Sequence, residues 1–173
     1  MKDYSSISPL NDRIIHSFNF HNDFQKNIKI KQSLIAQEEW KEYSIEERIK
    51  FLDKLNLILN NNKKVYASAM ASEMGKPVIE GISEIEKCIL LLDYYKNNIV
   101  NLVTENLQNT SLNRRIVYRP LGIVLGIMPW NFPFWQVFRF IIPTLLSGNT
   151  VLLKHSLNVQ KCAQYIQEMF SEL

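Results

Sequence analysis

The sequence predicts an α/β fold in which an amino-terminal layer of helices precedes one β-α-β unit of an incomplete parallel sheet. Residues Ile123–Met128 form an apolar run without alternation, which is typical of a strand buried on both faces. From Phe134 to Leu146 the chain is apolar on almost every side, as in a buried helix, and Gly148-Asn149 supplies a helix-ending signal. Thr150–Leu153 is a second apolar run. This order indicates a strand, a crossover helix and a parallel strand.

Apolar residues at helical spacing predict the helical layer. Ser44 opens a capping box with Glu47, and the three consecutive residues Asn60–Asn62 are expected to end the helix that follows. Gly75, with a proline two residues on, is a second stop signal. We therefore expect helices over residues 28–43, from 44 to about 60, over 63–74 and from about 82 to 98.

Two other segments have weaker patterns. Residues 1–27 are polar and are expected to be irregular, with possible short strands around Ile14-Ile15 and Phe18–Phe20. Asn113–Arg119 has the composition of a strand leading into the β-α-β unit.

Composition excludes several classes of function. At 173 residues the chain can bury a core, and its net charge of +3 comes from scattered Lys and Arg, which gives no support to nucleic-acid binding. The two cysteines and three histidines have no metal-ligand spacing. No stretch is long and apolar enough for a membrane span, and the first residues lack the apolar core of a signal peptide, so a cytoplasmic location is expected.

The β-α-β unit predicts where a ligand site lies. Ligands of open α/β sheets bind beyond the carboxyl ends of the strands, and Asn131 and Lys154 occupy that position on successive strands. The turn after the first strand has no G-x-G-x-x-G pattern, so any nucleotide here is held in another way.

Four motifs carry a resemblance to a known family. They are Glu73–Pro77 (EMGKP), Pro129–Pro133 (PWNFP), Gly148-Asn149 and Lys154–Ser156 (KHS). In this order and spacing the sequence resembles the NAD(P)-dependent aldehyde dehydrogenase superfamily, and its wording is most similar to succinate-semialdehyde dehydrogenases. The resemblance implies a Rossmann-like cofactor-binding sheet within a domain covering residues 1–173. It also implies that Leu107–Tyr118 forms part of an oligomerisation arm.

The resemblance also implies cofactor contacts, with NAD or NADP left open. The residues concerned are Met128, Pro129, Trp130, Asn131, Lys154 and Ser156. Lys154 would contact the adenosine ribose. His155 and Leu157 stand where the family usually has a proline and a glutamate. Since that glutamate would repel a 2′-phosphate, its loss makes NADP tolerable.

Two residues have competing interpretations. Asn131 is suited to capping a helix, whereas the resemblance implies that its side-chain amide donates to the oxyanion formed when a thiolate attacks the aldehyde. Arg139, whose sequence neighbours from Phe134 to Ile142 are apolar except for Gln136, could form a structural ion pair. The resemblance to succinate-semialdehyde dehydrogenases implies that it binds the substrate carboxylate instead.

The family's nucleophilic cysteine and glutamate base have no matching motif here. Cys88 and Cys162 lie in EKCIL and QKCAQ, on predicted helices without an activating context. The chain is therefore expected to be an amino-terminal part of the enzyme, lacking the catalytic domain and inactive alone. The alternative is a non-catalytic binding or interaction module left by a split or decaying gene. The resemblance implies a homo-oligomer, and the chain is expected to need its carboxyl-terminal remainder.

Overall fold

The computed structural model describes residues 3–103 and 117–173. It confirms a helical layer followed by a β-α-β unit. The elements are β1 (Asp3–Ile7), β2 (Ile14–Asn19), α1 (Asp23–Trp40), α2 (Ile45–Met74), α3 (Val78–Val103), β3 (Ile123–Met128), α4 (Trp135–Leu146), β4 (Thr150–His155), the 3-10 turn Leu157–Val159 and α5 (Gln160–Ser171).

The possible strands around Ile14-Ile15 and Phe18–Phe20 are confirmed, as the single strand β2. The expectation that the rest of residues 1–27 is irregular is wrong, because β1 pairs with β2 as an antiparallel hairpin and α1 begins at Asp23. The Tyr4 ring on β1 lies 5.4 Å from the Phe18 ring and 4.5 Å from the Phe20 ring, measured between centroids. Such cross-strand aromatic contacts stabilise a hairpin that alternation alone does not reveal. The Tyr4 hydroxyl donates to Gln160 Oε1 at 3.0 Å, which ties the hairpin to the first residue of α5.

The expected helix break at residues 60–62 is also wrong, because α2 runs without interruption to Met74. The Asn60 and Asn62 amides donate to backbone carbonyls one turn earlier, and the helix continues past them. Leu59 is fully buried in the core shared with α3, so tertiary burial outweighs the low helix propensity of asparagine. The predicted stop at Gly75 is confirmed, with a left-handed φ of 74°.

The predicted parallel pairing of β3 and β4 is confirmed, in a register that runs from Ile123 opposite Thr150 to Met128 opposite His155. Helix α4 lies against one face of the pair. A Cβ added at Gly126 would come within 2.4 Å of Cε1 of the Phe140 ring, so a side chain there would push α4 away.

The other face of β3 is open at Leu125 and Ile127 in the described structure. Leu125 is 60% exposed and Ile127 is 69% exposed, so the prediction of a strand buried on both faces is confirmed for the α4 side only. Lys154 lies opposite Ile127 in the register and is exposed, which puts its ammonium group on this open face.

Two further observations concern residues near these elements. Pro143 lies inside α4 and cannot donate to the carbonyl of Arg139, yet the helix continues to Leu146. The expected arm, Leu107–Tyr118, and the expected strand, Asn113–Arg119, lie largely outside the described residues. Within them, residues 117–119 have no regular structure.

Candidate functional site

The carboxyl ends of β3 and β4 meet at one edge of the sheet. Met128 and His155 are the last residues of the two strands and are register partners, so the segments that follow them start side by side. Pro129, Trp130 and Asn131 are all exposed there, Trp130 with 49% of its surface. The structure therefore brings the predicted cofactor residues of both strands to a common edge.

A buried carboxylate from the helical layer caps α4. Glu84, on α3, is 4% exposed, and its Oε1 accepts hydrogen bonds from the amides of Phe134 and Trp135, both at 2.9 Å. These amides belong to the first turn of α4 and have no partner within the helix. The interpretation of Asn131 as the helix cap is wrong, since Glu84 does this work and Asn131 remains exposed.

Lys76 binds the backbone of the turn between β3 and α4. Its ammonium group is buried and forms an ion pair with Glu84 Oε2. It also donates to the Asn131 carbonyl at 3.0 Å and lies 4.1 Å from the centroid of the Phe132 ring. Because a buried ion pair stabilises a fold only when its remaining hydrogen bonds are made, these contacts are what make the burial of Lys76 tolerable.

A second buried carboxylate caps α5. Glu73, at the end of α2, is 2% exposed and accepts from the amides of Lys161 at 2.8 Å and Cys162 at 3.0 Å. Helix amino termini are the usual binding place for phosphate in doubly wound folds. Here the amino termini of α4 and α5 are each occupied by a glutamate carboxylate. This agrees with the absence of a phosphate-binding G-x-G-x-x-G pattern after β3.

His155 joins the two turns. The residue is 4% exposed, with Nε2 2.9 Å from the Pro133 carbonyl and Nδ1 accepting from the Ser156 amide at 2.8 Å. These partners require the neutral ring with its proton on Nε2. Burial lowers the pKa of His155, while the bond to Pro133 acts in the opposite direction. Ser156 is half-buried, and its hydroxyl donates to Asn158 Oδ1 at 2.7 Å.

Arg139 is exposed on α4, so the expected problem of a buried guanidinium does not arise. Its Cζ lies 5.7 Å from the centroid of the Trp135 ring, one turn earlier on the same helix. Its positive charge also acts to lower the pKa of Tyr95 on α3, against the larger opposite effect of burial. Within residues 3–103 and 117–173 no carboxylate forms an ion pair with Arg139, so the structural ion pair finds no partner there.

The two cysteines are structural. Cys88 and Cys162 are both fully buried, and desolvation raises the pKa of each thiol far from the range where a thiolate forms. In the described parts of the chain no cluster of three or more possible metal ligands occurs. The helices of those parts include none with the length and apolar character needed to cross a bilayer.

A model of the aldehyde dehydrogenase family matches residues 1–173. The chain belongs to the aldehyde dehydrogenase family. A probable succinate-semialdehyde dehydrogenase [NADP(+)] of Synechocystis is 35% identical over 167 residues, which are 96% of this chain and 37% of that protein. The succinate semialdehyde dehydrogenase [NAD(P)+] Sad of Escherichia coli is 38% identical over 135 residues, 78% of this chain and 29% of that protein.

A solved aldehyde dehydrogenase has the same fold. The succinic semialdehyde dehydrogenase of Streptococcus pyogenes, in complex with NADP+, superposes with a TM-score of 0.92 and 27% identity, covering 98% of this chain and 38% of that one. The chain thus spans little more than a third of the length of the aldehyde dehydrogenases it matches.

The sequence of this aldehyde dehydrogenase chain did not predict which residues cap α4 and α5. Glu73 and Lys76 belong to the motif Glu73–Pro77, but no capping role was predicted for them. Glu84 belongs to none of the four motifs. A glutamate on a helix gives no sign in one sequence that it will be buried against another helix. The one available signal was the lack of an N-cap residue directly before α4, where Phe134 has no capping side chain.

Proposed function

We propose that this chain is the amino-terminal part of an NAD(P)-dependent aldehyde dehydrogenase that oxidises succinate semialdehyde to succinate. Arg139 carries the proposal. It is an exposed guanidinium with no acidic partner in the described structure. It lies eight residues after Asn131, on the helix that follows the turn containing Asn131. A planar, permanently charged fork is suited to a carboxylate, and the relatives named above act on a semialdehyde with such a group.

In the proposed mechanism Asn131 donates from its side-chain amide to the oxyanion that forms on the aldehyde carbon. The side chain is free to do so because Glu84 supplies the cap of α4. Lys76 fixes the Asn131 backbone through the carbonyl, which limits the motion of the amide. The expected loss on removing one oxyanion donor is about 10²–10³ in kcat.

The open edge fits the adenosine end of NAD or NADP. Lys154 offers an exposed cation on the uncovered face, and Trp130 offers an exposed ring. Met128, Pro129 and Ser156 lie at the same edge of the sheet, where β3 and β4 end. The two carboxylate-filled helix ends argue that the pyrophosphate is held elsewhere. The bound cofactor supplies the hydride acceptor. Leu157, 41% exposed, adds no negative charge that would repel a 2′-phosphate.

The chain alone is proposed to be inactive, since neither cysteine can serve as the nucleophile. Its partner is then a carboxyl-terminal remainder in a cytoplasmic homo-oligomer. The exposed Leu125 and Ile127 support this, because such an apolar sheet face invites covering or self-association. The same face suits the alternative, a non-catalytic module that joins intact subunits.

Two preparations test the proposal. The 173-residue chain with succinate semialdehyde and either cofactor should give no reduced nicotinamide. A chimaera of residues 1–173 with the matching remainder of the Synechocystis relative should reduce NAD or NADP with this substrate. Turnover by the chain alone that survives Cys88→Ser and Cys162→Ser would contradict the assignment. A folded chimaera that oxidises butanal but not succinate semialdehyde would contradict the substrate.

A further inference from the structure

Trp135 lies against two cations from different helices. The Lys87 ammonium group, on α3, is 4.3 Å from the centroid of the indole ring, and the Arg139 guanidinium, on α4, is 5.7 Å from it. The sum of these distances, about 10 Å, is the largest separation that the two cationic groups can have.

Neither cation is neutralised in the part of the chain that the structure describes. Lys87 and Arg139 are both exposed, and neither forms an ion pair with a described carboxylate. The acidic neighbours of Lys87 are engaged elsewhere. Glu86 pairs with Lys63, and Glu84 is taken by Lys76 and by the amides of α4. Two cations thus contact one aromatic ring, and neither has an ion-pair partner among the described residues.

A groove beside this pair has the dimensions of a small-molecule site. A cavity of about 300 Å³ lies between the first turns of α3 and the turn after β3. Its charged lining residues are Glu80, Glu84 and Lys87, and the Phe132 ring also lines it. Glu80 precedes Lys87 by seven residues, or about 10 Å along the helix axis. Glu84 is already paired with Lys76, so Lys87 and Glu80 are the charged lining residues that have no ion-pair partner in the described parts of the chain.

We propose that Lys87 is a second cation for the substrate carboxylate, acting with Arg139 across Trp135. The inference rests on the proposed function, which assigns the first cation. A carboxylate between the two groups would offset their repulsion and accept charge-assisted hydrogen bonds from both. The ring keeps water from one side of the pair, and Glu80 repels a carboxylate from the far end of the groove. This arrangement selects aldehydes that carry a second, anionic end, and orients them.

Succinate, which carries the same carboxylate and no reactive aldehyde, is the probe. It is titrated into the 173-residue chain at micromolar concentration, and the Trp135 fluorescence is followed, identified as the signal that Trp135→Phe removes. A saturable change is expected with succinate and none with neutral succinamide. Lys87→Met should raise the Kd about fivefold, and Lys87→Arg should stay within about twofold of the parent chain.

Lys96→Met is the matched control, because Lys96 is an exposed lysine of the same helix that pairs with Asp53 instead. It should leave the Kd unchanged. If Lys87→Met leaves the Kd unchanged while Arg139→Met raises it, the role of Lys87 is overturned and that of Arg139 stands. If Lys87→Met raises it and Arg139→Met does not, the proposed role of Arg139 fails. Absence of saturable binding to the folded parent chain overturns both. Should Lys87→Met alter the thermal melt, Lys87→Gln replaces it.

Discussion

The turns that follow β3 and β4 use the same capping device with different partners. Each helix after the turn has its first amides bound by a buried glutamate from the helical layer, Glu84 for α4 and Glu73 for α5. Among the described residues Glu84 also pairs with Lys76, whereas Glu73 has no cationic partner. The comparison shows that a buried carboxylate can cap a helix on amides alone. The lysine therefore serves a further purpose, which is to hold the carbonyl of Asn131.

The largest effect expected from this difference concerns Glu84→Gln. This change leaves the Lys76 ammonium group buried without a counter-ion, so it should lower the free energy of unfolding by about 3–5 kcal/mol. Glu73→Gln removes charge-assisted acceptors but strands no cation, and should cost about 1–3 kcal/mol. Urea unfolding at one fixed protein concentration measures both. Equal losses would contradict the distinction between the two caps.

The double variant Lys76→Met with Glu84→Gln completes that test. It should be more stable than Glu84→Gln alone, since no unpaired charge stays buried, and the coupling should be about 0.5–3 kcal/mol. Lys76→Met with Glu73→Gln serves as the control pair, for which simple additivity is expected. Additive losses in both pairs would mean that Lys76 and Glu84 do not depend on each other.

His155 connects the two turns and gives them a common pH dependence. Burial lowers its pKa in the folded chain, so below the unfolded value of about 6.5 the unfolded state binds the proton first. The bond from the Ser156 amide to Nδ1 is also lost on protonation. The stability contributed by the neutral ring is thus present above about pH 6.5 and falls as the pH drops towards the folded pKa.

His155→Gln keeps a donor for the Pro133 carbonyl and cannot titrate. The loss of stability between pH 7.5 and pH 5 should therefore be smaller in this variant than in the parent chain, as measured by urea unfolding. His21→Gln, at an exposed histidine, should behave as the parent does. If His155→Gln and His21→Gln show the same pH profile, His155 is not the source of the pH dependence.

The smallest effect expected concerns Leu157 in the turn after β4, which is proposed to face the adenosine. Leu157→Glu places a carboxylate near a 2′-phosphate and should weaken binding of 2′,5′-ADP to the chain about fivefold, with no loss for 5′-AMP. Isothermal titration at low ionic strength measures both, because salt screens this repulsion. An equal change for the two nucleotides would show that Leu157 lies away from the 2′ position.

Sequence patterns predicted the β-α-β unit because its strands and helix are continuous apolar runs bounded by proline and glycine. Sequence patterns gave wrong predictions where contacts between residues far apart in the chain determine the local structure. Burial of Leu59 carries α2 through three asparagines, and aromatic contacts of Tyr4 stabilise a hairpin with no clear alternation. Asn131 and Arg139 could be singled out, since the positions of proline and of a lone charge are local features. The partners Glu84 and Lys87 could not, because a helix sequence does not say which neighbour it will meet.

The central claim is that Arg139 selects a substrate by its carboxylate, and the ratio of two specificity constants in the chimaera tests it most directly. Arg139→Leu should lower kcat/KM for succinate semialdehyde by about 10- to 100-fold, the cost of one charge-assisted hydrogen bond or pair. It should leave kcat/KM for butanal nearly unchanged, as should Lys96→Met for both substrates. We expect a loss of kcat/KM for succinate semialdehyde only. Equal losses on both aldehydes would contradict it and make Arg139 a structural residue.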